Sequence, residues 1–126
     1  MDKNKIVEIF IPGPAGRLEA KYFKSKKNTS PIALVLQPHP QYGGTMNNKV
    51  VVETFHSFMD NDFSVCRVNF RGVGKSDGDF DNGQGELADA AAASANSPWP
   101  LSNSPSLFPT PLKFTLQTEK SFSIKV

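Results

Sequence analysis

The chain has 126 residues, room for one small domain, and 14 Lys and Arg against 12 Asp and Glu give a formal net charge of +2. So weak a charge excludes a nucleic-acid partner held by electrostatics. The longest apolar runs fall far short of the roughly 18 residues that a membrane-spanning helix needs, and "MDKNK" opens no secretory signal, so no membrane and a cytoplasmic address are expected.

Taken in chain order, Lys5–Ile11 ("KIVEIFI") and Arg17–Phe23 ("RLEAKYF") read as two strands joined by "PGPAG". The prolines and glycines of that segment suit a tight turn, so the pair predicts a β-hairpin. "PIALVLQPH" is a continuous apolar run of the kind found in a strand covered on both faces. Asn47 or Asn48 can cap the helix predicted over "KVVVETFHSFMDND", where Val51, Val52, Phe55, Phe58 and Met59 recur on one stripe. "FSVCRVNF" is the next buried strand, and its single cysteine, Cys66, reads as a structural thiol in a reducing compartment. "GELADAAAASA" is the next helix, with Glu86 and Asp89 near its start where the helix dipole favours acids. A helix between consecutive buried strands implies a right-handed crossover and a parallel pair.

The composition changes at Ala93. All nine glycines lie at or before Gly85, whereas Pro98, Pro100, Pro105, Pro109 and Pro111 crowd the segment that follows. Residues 1–93 therefore read as an α/β unit and residues 94–126 as an irregular Ser/Pro-rich tail. Within that tail only "KFTLQTEKSFSIKV" alternates enough to pair as a strand.

Three stretches could carry chemistry. "NFRGVGKSDG" ends in Gly74-Lys75-Ser76 like a phosphate-binding loop, but Asn69 stands where the first glycine is required, and "DGDFDNGQG" follows where a helix should begin. Asp77, Asp79 and Asp81 resemble the start of a calcium loop, yet Asn82 and Ala88 occupy the positions of its Gly and bidentate Glu. Neither a cofactor nor a metal is expected. The third stretch is "QPHPQYGGTMNN", with His39 between Pro38 and Pro40 and with Gly43 and Gly44 freeing the backbone. Taken alone His39 reads as a turn residue, and what raises a functional reading is its location, because ligands of open α/β sheets bind at the carboxyl ends of parallel strands.

Together, the hairpin, "HPQYGGTMNNKV" and "NFRGVGKSDGDFDNGQGELADA" resemble the N-terminal half of the α/β-hydrolase fold, in particular bacterial serine hydrolases of the dienelactone-hydrolase and acyl-peptidase-like branch. The resemblance covers Met1 to about Ala93. It implies an incomplete hydrolase sheet, the hairpin plus two parallel strands with crossover helices, and in the parent family a small ester or amide substrate. It implies that His39-Pro40-Gln41 is the oxyanion loop, that the backbone amide of Gln41 is the donor, and that Tyr42, Gly43 and Gly44 complete the loop. It further implies that Arg71, Gly72, Gly74 and Ser76 organise the second loop rather than catalyse, with Arg71 bridged to Glu86 or another acidic neighbour.

The same resemblance demands a Gly-x-Ser-x-Gly elbow followed by an acid and a histidine. The one Gly-x-Ser-x-Gly in the 126 residues, Gly74 to Gly78, runs into "DFDNGQG" rather than a helix and so makes no such elbow, and His39 and His56 both precede its expected place. No catalytic triad is therefore assigned. The abrupt change after "DAAAA" is what a shifted reading frame would produce. A non-catalytic binding protein is the alternative, in which the tail or a second copy covers the apolar edge of "IALVL", so that self-association through this sheet edge is expected.

Overall fold

The computed structural model describes residues 5–27, 29–97 and 114–116. β1 (Ile6–Gly13) and β2 (Gly16–Phe23) pair antiparallel from Ile6↔Phe23 to Gly13↔Gly16, which leaves Pro14 and Ala15 as the turn. Gly16 closes that turn at φ 124°, a conformation open in practice only to glycine. β3 (Ile32–Leu36) and β4 (Ser64–Val68) are parallel in the register Ile32↔Ser64 to Leu36↔Val68, and β2 lies antiparallel on the other side of β4.

A three-residue strand, β5 (Phe114–Leu116), pairs parallel with Leu34–Leu36 of β3, so the order across the sheet is β1-β2-β4-β3-β5. Part of the edge expected to be open is thus occupied, by a piece of the one tail segment with strand-like alternation. Residues 94–96 of the expected irregular tail continue the preceding helix instead and Ser97 caps it, and the rest of the tail expectation falls on residues outside those described.

One helix lies on each face. α1 (Lys49–Asp60) starts at Asn48, one of the two expected caps, whose Oδ1 accepts from Val50 N at 2.9 Å. Its buried residues are Val51, Phe55 and Met59, which pack with Phe23, Ala33, Val35 and Val65. Val52 and Phe58 of the expected stripe are only partly buried, because the sheet beneath α1 contacts a narrower arc than five residues span. α2 (Gln84–Asn96) packs Ala90 and Ala93 on the other face against Ile11, Leu18, Ala20, Leu34, Leu36 and Val68. Small alanines let α2 approach the hairpin closely, and Asn96 Nδ2 donates to Pro12 O at 2.9 Å. The helix runs through Ala93 to Asn96, and Ser94 and Ser97 beyond that point are buried.

Because side chains alternate along a strand, Leu34, Leu36, Cys66 and Val68 face α2 while Ala33, Val35, Val65 and Arg67 face α1. Each large apolar residue sealed this way contributes about 1.5–3 kcal/mol. Phe55, fully buried between helix and sheet, is the single position on the α1 face where truncation to Ala costs the most, about 3–5 kcal/mol. No described helix is long and apolar enough to cross a membrane.

Candidate functional site

The two glycine-rich loops leave the carboxyl ends of β3 and β4, and each begins with a fully buried amide side chain. Gln37 is 0 % exposed: its Nε2 donates to Pro38 O at 3.0 Å and Gly44 O at 2.8 Å, and its Oε1 accepts from Phe70 N at 2.6 Å. One side chain therefore closes the first loop and fastens it to the second. Asn69 works in the opposite direction, its Oδ1 accepting from Met46 N at 2.7 Å and its Nδ2 donating to Glu19 Oε1 at 2.9 Å. Buried amides so fully partnered hold backbone in place more firmly than apolar contacts could.

In the first loop, His39 O accepts from Tyr42 N and Gly44 N, both at 3.1 Å, around a one-turn 3-10 segment, Pro40–Tyr42. Gly43 takes φ 75°, and a Cβ on Gly44 would collide with Pro38 O. His39 Nδ1 accepts from Gln41 N at 3.1 Å. The amide that the resemblance implies as oxyanion donor is thus engaged by the neighbouring imidazole, which acts here as the acceptor. Tyr42 is 86 % exposed, and its ring lies 4.9 Å from that of His39.

In the second loop, Gly72 at φ 74° and Gly74 at φ 55° make the turns. A Cβ on Gly74 would come within 2.5 Å of Glu19 Oε1 and 2.6 Å of Asn69 Nδ2. Ser76 is buried, donating to Asn69 O and accepting from Glu19 N, both at 2.8 Å, so its hydroxyl points into the fold rather than toward a ligand. Arg71 pairs with Asp89, through Nε to Oδ2 at 3.1 Å and Nη2 to Oδ1 at 3.0 Å, while Asp81 stands 4.0 Å from Nη1. The acidic partner is Asp89 and not Glu86. Glu86 is already engaged at the start of α2, where its carboxylate accepts from Asp81 N at 2.9 Å and Gly83 N at 2.8 Å. Asp89 raises the Arg71 guanidinium above its ordinary range, chiefly through those hydrogen bonds.

The remaining readings are placed as follows. After Gly74-Lys75-Ser76 the chain turns for several residues before α2 begins at Gln84, so no helix N-terminus faces this turn as a phosphate loop requires. Asp77 accepts from Arg17 N at 2.7 Å, which holds its carboxyl below the usual range, and Asp81 lies toward Arg71. Among the described residues no three His, Cys, Asp or Glu side chains group as metal ligands would. His56 sits on α1 with Nδ1 2.9 Å from Val52 O, away from both loops. Cys66 is buried, and burial pushes its thiol up to about 12.

The two loops meet at His39 and Phe80, whose ring centroids are 5.6 Å apart. Solved structures with a similar fold include an Agrobacterium tumefaciens protein of unknown function, a putative α/β hydrolase by its description, 41 % identical, with a TM-score of 0.72 over 87 % of this chain. An α/β serine hydrolase homologue from Coxiella burnetii is 42 % identical, with a TM-score of 0.65 over 69 % of this chain. The described residues have the fold of part of an α/β hydrolase. An uncharacterized protein of Rickettsia prowazekii is 55 % identical over 86 residues, 68 % of this chain. The chain spans 48 %, 42 % and 36 % of those three proteins respectively, less than half of their length. No family model matches it.

Sequence reasoning did not single out Gln37, Asn69 as a bridge, Glu19 or Phe80, and it noted Asp89 only as an acid near the helix start. The available signal was a polar amide directly after each apolar strand, "LVLQ" and "CRVN", where a buried side chain has to find partners.

Proposed function

We propose that this chain is the oxyanion-loop half of a serine hydrolase acting on small esters or amides, and that it does not turn them over alone. The observation that carries the reading is the fastening of the His39–Gly44 loop to the loop after β4 through Gln37 and Asn69. Such a frame holds backbone dipoles still, and an oxyanion donor works by being fixed where charge develops on a carbonyl oxygen, each typically worth about 10²- to 10³-fold in rate. Gln41 is the donor in this reading, and the His39 ring has to leave its amide before it can serve. Tyr42 lies on the open side of the loop, where an acyl or leaving group would pass.

Ser76, the serine of the one Gly-x-Ser-x-Gly, is buried with its hydroxyl bonded to Asn69 O and Glu19 N, and no histidine follows it in the 126 residues, so oxyanion stabilisation has no nucleophile to act upon. Incubation of the purified chain with a fluorophosphonate probe tests this directly. The expected result is no labelled serine after hours at neutral pH; stoichiometric labelling of any one serine contradicts it.

The pairing of Phe114–Leu116 with β3 favours a second reading, a small binding protein whose tail completes the sheet. Limited proteolysis separates the two. Rapid loss of everything past Ser97, with the α/β unit intact, supports the half-hydrolase, and a resistant tail supports the binding protein.

A further inference from the structure

The face of the hairpin that packs on α2 is left uncovered at the end away from the two glycine-rich loops. Ile11, Leu18 and Ala20 are sealed beneath α2, whereas Val7, on the same face of β1, is 48 % exposed. Val7 pairs with Tyr22, and Lys5 and Lys24 stand two residues from them along the chain, so all four side chains leave one face. Together with Lys26 they line an open groove of about 420 Å³, within the range of about 300–1,000 Å³ usual for small-molecule sites. The stretch that carries Lys24 and Lys26 is fixed at Ser25, which is buried: its N donates to Ser64 Oγ at 3.0 Å, and its Oγ accepts from Lys27 N at 3.3 Å and Ser30 Oγ at 2.7 Å.

The groove combines an apolar wall with unanswered positive charge. Lys5, Lys24 and Lys26 are exposed, and among the described residues none of them has an ion-pair partner, whereas Arg17, Lys49 and Arg71 each have a carboxylate within 4.0 Å. The acids of the hairpin lie elsewhere: Glu8 leaves the opposite face, in register with Lys21, and Glu19 is held by Asn69 Nδ2 and Lys75 N at the loop end of the sheet. Those of α2 are engaged as well, Glu86 at the helix start and Asp89 by Arg71. Three cations gathered without an acid concentrate positive potential in a chain whose net charge is only +2, and a groove with an apolar wall focuses it. Val7 and Tyr22 supply that wall, which suits a ligand with an apolar body behind its charge.

We propose that this groove binds a small amphipathic anion, its carboxylate or phosphate head among Lys5, Lys24 and Lys26 and its short apolar body on Val7 and Tyr22. Because the apolar wall lies inside a groove, a single molecule reaches it and the plane of a membrane does not. The proposal is independent of the hydrolase reading and of any role for Gln41. Octanoate is the simplest probe. In the ¹⁵N-labelled full chain, sodium octanoate moves the amide resonances of Val7, Lys24 and Ser25 saturably, and sodium chloride at equal ionic strength does not. Hexanoate binds more weakly by about fourfold for each methylene no longer seated. Lys5→Gln with Lys24→Gln weakens octanoate by about tenfold, as two partly screened contacts of up to about fivefold each would, while Lys49→Gln on α1 leaves its affinity unchanged. Silent resonances, equal affinities for hexanoate and octanoate, or a double variant that binds like the wild type overturns the proposal. Binding to phosphatidylglycerol vesicles with no response to octanoate overturns it in favour of a membrane surface.

Discussion

Gln37 Oε1 accepts from Phe70 N at 2.6 Å, so a side chain at the end of β3 holds the backbone at the end of β4. With its two bonds to Pro38 O and Gly44 O, this residue makes the two loops one unit. Gln37→Ala leaves a buried N–H and a buried carbonyl without their partner as well as a cavity. It is expected to lower stability by about 2–4 kcal/mol, measured by urea unfolding, and a change below about 0.5 kcal/mol, the usual range for surface sites, would remove Gln37 from the account.

The Arg71–Asp89 pair fastens the second loop to α2, and the Asp89 side chain is 1 % exposed. Asp89→Ala strands a largely buried guanidinium and is expected to destabilise by about 3–5 kcal/mol. Loss of protection of the Arg71 amide, which donates to Asp89 Oδ2 at 2.9 Å, should accompany it in hydrogen exchange. An unchanged exchange rate at Arg71 would mean that Asp89 does not hold this loop.

How much of this could be read beforehand depends on the range of the interaction. The hairpin, both parallel strands and the Asn48 cap were legible because they follow from neighbours a few residues apart. Gln37 to Phe70 spans 33 residues and Asn69 to Glu19 spans 50, and nothing local distinguishes an amide with such partners from one in solvent. Asn69 drew notice only as a missing phosphate-loop glycine. The choice of Asp89 over Glu86 has the same origin, since both start α2 and only the cap formed by Glu86 decides which remains for Arg71.

Burial pushes the Cys66 thiol up to about 12 from the ordinary 9.0, so the folded state favours the protonated form. Between those two values the unfolded chain releases a proton that the folded chain keeps, and stability therefore falls as pH rises through this window, while below about 9 the contribution is fully present. Iodoacetamide should leave Cys66 unmodified at pH 8 in the folded chain and modify it readily in 6 M urea. Equal alkylation rates in both would contradict a sealed thiol.

The proposed reading is that the α/β unit is half of a serine hydrolase and that the reading frame shifts after Ala93. The gene itself tests this most directly, through translation of the nucleotides after codon 93 in the other two reading frames. The account predicts that one frame encodes a strand-like apolar run followed by Gly-x-Ser-x-Gly, opening into a helix. Two frames with neither feature would contradict it, and would leave the tail as the chain's own sequence.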